Sequence, residues 1–254
     1  MREKFLNTTN KLWSVSAIAV LLVIWQFICS FEIVESFMLP SPIQVIVTLV
    51  KEFPLLMEHS IVTLTEALVG LAVGVLLGFV MAVVMDHYDF LYKAFYPLIV
   101  LTQTIPAVAI APLLVLWFGY EMAPKIILIV ITTFFPISIG LLNGFKSADK
   151  DSIDLLRAMG GNRIQVFRHI KLPGAMSQFF AGLRISASYA VVGAVISEWL
   201  GGFKGLGVYM TLVKKAYAFD KMFAVIFLIS IVSLFLMKLV DIAEKKCMPW
   251  QKEK

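Results

Sequence analysis

Six stretches of almost unbroken apolar sequence set the terms for this chain: Leu12–Ser30, Ser60–Met85, Phe95–Phe118, Lys125–Leu142, Ser177–Leu200 and Met222–Ile242. Crossing a bilayer takes about 20 mostly apolar residues in a helix. Helices and closed barrels are the only spanning forms, because hydrocarbon offers the backbone no hydrogen-bond partners. These stretches are too long for barrel strands and lack their alternation. The chain therefore reads as an all-α polytopic membrane protein with six transmembrane helices. Composition agrees: 60% of residues are hydrophobic, 15% are charged, and the mean hydropathy is +0.89. A soluble domain has about 45–50% apolar and about 25% charged residues.

The formal net charge of +5 does not point to nucleic acid, since the basic residues sit in short loops and form no long run. They report orientation instead. With the N-terminus in the cytoplasm, fourteen Lys and Arg fall inside, including Arg2, Lys4, Lys11, Lys252 and Lys254, and six fall outside. Both termini are then cytoplasmic, although Lys214, Lys215 and Lys221 run against the bias in the last outer loop. Cys29 and Cys247 lie on opposite sides in this arrangement and cannot pair. Neither has metal-ligand company. The first apolar stretch is longer than a signal-peptide core and has no small-residue cleavage site.

Within the spans, Gly70, Gly74, Gly78 and Ala82 recur every fourth residue and share one helix face, suited to close packing in the bundle or against another subunit. Pro97, Pro106, Pro112 and Pro136 predict kinks. Gln103 and Thr104 precede Pro106 and either line a path or satisfy the backbone that the proline frees. Glu66 is a deep acid. Arg184 reads as snorkelling to the inner headgroups. Glu198 reads as a solvated helix end or part of an outer vestibule.

The loop 144–175 breaks the apolar pattern. Ser152–Met159 predicts a short helix capped by Asp151 or Ser152 and stopped by Gly160-Gly161. Asn162 and Gln165 predict a capping box on a second helix. Ile164, Phe167 and Ile170 share one face of it, Arg163, Arg168 and Lys171 make the other basic, and Pro173 should stop it running into the next span. No Gly-Lys dipeptide exists, so there is no P-loop. His59, His87 and His169 form no catalytic arrangement.

The loop also carries a spacing that resembles the cytoplasmic signature of binding-protein-dependent ABC import permeases. Asp154 holds the acid of its first triplet, Arg157, Ala158 and Gly160 follow, and Ile170, Leu172 and Pro173 close it. Leu155 and Leu156 stand where that family has two alanines. The resemblance extends to Leu39-Pro40-Ser41-Pro42, Thr63-Leu64, Ala111-Pro112-Leu113, Trp117-Phe118-Gly119 and Gly182-Leu183-Arg184. It implies a type I ABC importer-like fold in a bacterial inner membrane, with residues 1–59 as tail, first span and outer loop, 60–244 as permease core and 245–254 as basic cytoplasmic tail. It further implies a second copy of the chain, two ATP-binding subunits that hold the ATP and Mg, and an outer substrate-binding protein. This chain would bind no cofactor of its own. The loop would couple to the ATPase through Asp154, Arg157, Ala158, Gly160, Ile170, Leu172 and Pro173. Gln103, Thr104, Pro106 and Glu198 would border the path. Ser197-Glu198-Trp199-Leu200-Gly201-Gly202 and Gly205-Leu206-Gly207 lean toward the thiamine-precursor branch (hydroxymethylpyrimidine-like solutes) over the sulfonate, nitrate and taurine branch. A self-contained secondary transporter would instead show internal repeats or several buried acids, and an intramembrane enzyme a nucleophile with its base.

Overall fold

The computed structural model describes residues 2–35 and 37–249, and of residues 2–12, 14 and 15 the backbone alone. Lys252 and Lys254 of the basic tail lie outside the described residues, as do the side chains of Arg2, Lys4 and Lys11. Every regular element among the described residues is helical. In chain order these are α1 (Arg2–Ser30), α2 (Pro42–Lys51), α3 (Phe53–His87), α4 (Asp89–Thr104), α5 (Ala107–Phe118), α6 (Met122–Lys146), α7 (Lys150–Ala158), α8 (Arg163–Val166), α9 (Leu172–Leu200), α10 (Leu206–Lys215) and α11 (Phe219–Cys247). A π-helical turn, Phe167–Lys171, joins α8 to α9.

Among the described residues, four helices are long and apolar enough to cross a membrane: α3, α6, the continuous Arg163–Leu200 rod and α11. The first predicted span lies within α1, a continuous helix of 29 residues, of which Ser16–Ser30 is the described apolar part. The third predicted span is not one straight helix. Its halves, α4 and α5, meet at 98°. The bend sits at Ile105, which is extended (φ −87°, ψ 121°), and Pro106, which precedes α5. A proline forces the residue before it out of the helical region, and that ends α4. Pro97, Pro112 and Pro136 lie inside continuous helices. Near Pro136 the Ser186 hydroxyl donates to the Thr133 carbonyl at 2.8 Å, so a neighbouring helix serves backbone in the turn before the proline.

The chain divides into two compact units, Met1–Met57 with Tyr209–Leu228, and Glu58–Val208 with Ile229–Lys254. In the smaller unit, Glu52 accepts from Lys221 at 2.6 Å and from the Tyr209 hydroxyl at 3.4 Å, and Trp25 stacks on Phe227. Burial first, then the Glu52 carboxylate, pushes the Tyr209 phenol up to about 12.

The larger unit is built on close helix contact. Gly70, Gly74 and Gly78 of α3 face Ile129, Thr133 and Ile137 of α6, both rows advancing by four. A Cβ on Gly70 would lie 2.5 Å from Ile129. The α6–α9 seam is tighter, with backbone against backbone. A Cβ on Gly140 would meet the Gln178 carbonyl oxygen at 2.7 Å, one on Gly144 would meet Ala175 at 2.6 Å, and one on Gly182 would run into the Pro136 carbonyl. In lipid no hydrophobic force draws helices together, so such small-residue seams carry the packing.

Candidate functional site

Three places in the larger unit collect polar chemistry. The first is the loop between α6 and α9. Asp149, not Asp151 or Ser152, caps α7. Its carboxylate accepts from the Ser152 amide at 3.1 Å and from the Ser152 hydroxyl, and these bonds hold the Asp149 carboxyl below its usual range. Asp151 and Ser152 are the caps expected from the sequence; Asp149, which is not among them, is the residue that places its side chain at the amide two residues past the first helical residue. Gly160 then takes φ +88°. Its amide bonds the Arg157 carbonyl at 2.9 Å, and the Gly161 amide bonds the Leu156 carbonyl at 2.9 Å, closing the helix end.

Asn162 and Gln165 form the capping box, with bonds of 2.7 and 2.9 Å. From there the helix does not stop. Pro173 lies inside a continuous helix, directly after the π-turn Phe167–Lys171; the π-turn absorbs the misfit of its ring and missing amide, so α8 and α9 form one 38-residue rod. Phe167 packs on Phe145 with ring centroids 5.3 Å apart. Lys171 reaches both oxygens of Asp86, at the end of α3, at 2.7 and 2.9 Å. Ile170, Leu172 and Pro173 are half-buried. Asp154, Arg157, Ala158 and Gly160 are exposed. Leu155, Met159 and Ile164 also stand out into solvent, so Ile164 does not share the shielded position of Phe167 and Ile170. Leu156 packs under the Gly161 turn.

The second place lies among α4, α5, α6 and α9. A cavity of about 240 Å³ is bordered by Gln103, Pro106, Thr132 and Tyr189. Another of about 380 Å³ is bordered by Gln103, Asn143, Gln178 and Tyr189. Gln103 and Tyr189 border both. Among the described residues neither lining includes a charged side chain. Thr104 does not line either cavity; its hydroxyl bonds the Leu101 carbonyl at 2.8 Å. Sequence reasoning missed Tyr189, Thr132, Asn143 and Gln178. An amide or hydroxyl spaced along an apolar helix was the available signal, and it is a weak one.

The third place is a buried charge cluster. Glu198 is 2% exposed and is neither a solvated helix end nor part of either cavity lining. It accepts from the Thr63 hydroxyl at 2.7 Å and from the Gly207 amide at 2.6 Å. The loop Gly201–Gly207 folds back over it, and a Cβ on Gly205 or Gly207 would strike its carboxylate. Beside it Lys125, buried rather than looped out, pairs with Glu66 at 2.6 Å. The other Glu66 oxygen has no hydrogen-bond partner among the described residues. Arg184 does not reach for headgroups alone; it pairs with Glu244 at 2.7 Å and Asp241 at 3.3 Å.

The sequence matches, over residues 74–248, the family described as "Binding-protein-dependent transport system inner membrane component". It is 35% identical over 235 residues to the formylaminopyrimidine transport permease protein ThiX of Halalkalibacterium halodurans, covering 92% of this chain and 94% of that one. It is 29% identical over 234 residues to the riboflavin transport system permease protein RibX of Chloroflexus aurantiacus, covering 91% and 87%. Its fold is similar to that of a solved amino acid ABC transporter crystallised with histidines, with a TM-score of 0.65 at 18% identity, covering 79% of this chain and 97% of that one.

Proposed function

The chain belongs to the binding-protein-dependent inner-membrane permeases of ABC importers, and from that membership we propose that it passes a small uncharged nitrogen heterocycle of the thiamine-precursor type. It is a multi-pass inner-membrane subunit and not an enzyme; ATP hydrolysis belongs to a partner ATPase. In the proposed arrangement two copies face each other across the α4–α6–α9 surface. An ATPase subunit grips α7 and the Gly160-Gly161 turn of each copy, and an outer binding protein delivers the solute.

The observation that carries the coupling role is mechanical. The loop is tied to α3 by Lys171–Asp86 and is continuous with the membrane rod α8–α9. An ATPase that moves α7 would therefore move α9, and with it the tight seam against α6. That is a rigid element whose two positions another subunit can bias. For the solute, the support is the uncharged lining around Tyr189 and Gln103. A flat heterocycle can lie on an aromatic face and bond an amide. A sulfonate or nitrate would call for cationic donors at those positions.

Proteoliposomes containing this chain, its P-loop partner and its binding protein should take up hydroxymethylpyrimidine on ATP addition, and taurine or nitrate far more slowly. Preferential taurine uptake would reverse the substrate reading. Uptake by this chain alone on an ion gradient would defeat the importer reading altogether.

A further inference from the structure

The loop also has a side that faces the end of α3. Where the cytoplasmic end of α3 meets α8, a cavity of about 440 Å³ opens. Asp86, His87, Arg157, Arg163 and Lys171 border it, and Phe167 belongs to its apolar lining. Lys171 is matched by Asp86, which leaves two cations in excess. Of these, Arg157 has a long, exposed contact of 3.7 Å to Asp154, and the Arg163 guanidinium has no ion pair among the described residues.

We propose that this cavity binds the headgroup of an anionic phospholipid of the inner leaflet, with Arg157 and Arg163 on the phosphate and the glycerol end of the acyl chains against Phe167. The geometry favours a lipid over a soluble anion. The cations lie beside the last turn of α3, a helix long and apolar enough to cross a membrane, and the same cavity is lined by the apolar Val83 and the buried Val166. Ile164, exposed at the mouth beside Arg163, suits the same boundary. A lipid held there would brace the loop against α3 from the membrane side. The inference rests on the loop being the cytoplasmic ATPase dock, and its test reads lipid directly, so it can fail while that reading stands.

Full-length chain purified in mild detergent is equilibrated with equal amounts of palmitoyl-oleoyl phosphatidylglycerol and phosphatidylcholine, and bound lipid is counted by native mass spectrometry. Phosphatidylglycerol should be retained in preference. Arg163→Ala should weaken its retention about fivefold, the worth of one cation near a headgroup. Arg163→Lys should keep most of it. Arg168→Ala makes the same charge change outside the cavity and should leave retention unaltered. Equal retention of the two lipids, or equal loss in the Arg163 and Arg168 variants, overturns the site. So does a variant Arg163→Ala that keeps its lipid but no longer binds the ATPase, since the cavity would then hold an acidic segment of that partner.

Discussion

Removing Lys125 should damage this protein more than removing both members of its ion pair. The ammonium lies 2.6 Å from Glu66, and the two side chains are 6% and 5% exposed. At that distance the attraction is about 6 kcal/mol for an effective dielectric near 20. Much of it offsets the cost of taking both ions out of water, so the pair as a unit is worth little. Breaking it is different. Lys125→Met leaves Glu66 buried with one oxygen stripped of its partner and the other already without one. The expected loss is about 3–5 kcal/mol. For a chain of this size that lowers the melting temperature by roughly 6–20 °C. Glu66→Gln combined with Lys125→Met removes the orphaned charge and should regain about half of the loss, with a coupling of about 2 kcal/mol between the sites. Glu198 keeps its bonds from Thr63 and Gly207 in every variant but feels the charge of both ions, so a second cycle on a Glu198→Gln background separates the pair from this neighbour. The assay is thermal unfolding in detergent, followed by tryptophan fluorescence. A Lys125→Met protein that melts with wild type, or a double variant whose loss equals the sum of the singles, would refute the reasoning.

Gly160→Val places a β-branched residue at φ +88°, a strain of about 1–2 kcal/mol; the chain should still insert while ATP-driven uptake falls about tenfold, and full-rate uptake would remove the loop from the coupling role. Gly182→Leu should destabilise by about 1–3 kcal/mol because its side chain meets the Pro136 carbonyl, whereas Gly174→Ala, in open space on the same helix, should be neutral or gain up to about 1 kcal/mol; paired melts decide this. The raised Tyr209 phenol makes a signed prediction: its contribution to stability is whole below the ordinary phenol value, near 10, and is lost as pH rises from there through about 12. Absorbance titration at 295 nm should show one late phenol, absent in Tyr209→Phe.

The apolar spans were legible because length and hydropathy are one-dimensional properties, and the membrane imposes them strongly. The Asn162–Gln165 box was legible for a similar reason, since both partners are local. What escaped depends on chain brought together from far apart. Four prolines stood in the spans, and nothing in the order of residues said that only Pro106 would sit beyond a helix end. Pro173 reads as a stop until a π-turn takes up its misfit. Glu198 and Lys125 lie at the edges of apolar stretches, where charge normally means water; they are buried because the glycine loop 201–207 returns over Glu198 and α3 supplies Glu66 and Thr63. A signal did exist: four glycines within nine residues after Glu198, two of which, Gly205 and Gly207, stand where a bulkier residue could not approach its carboxylate. Asp149 lost out in the reading to nearer polar residues because caps are decided by geometry within one residue.

The π-turn at Phe167–Lys171 has a consequence for reading frame. In a helix each residue advances the chain by about 100°, so the single extra residue held in this turn sets the angular phase between the loop end of the rod and its membrane end. Phe167 faces Phe145 and Lys171 faces Asp86 only in that phase, while Gly182 faces Pro136 in the phase of the span. Deleting one residue between 167 and 171 would leave the helix intact, yet turn one set of contacts away from its partners by roughly a quarter of a revolution. Substitutions in this segment are judged by size and charge; changes in its length are judged by phase.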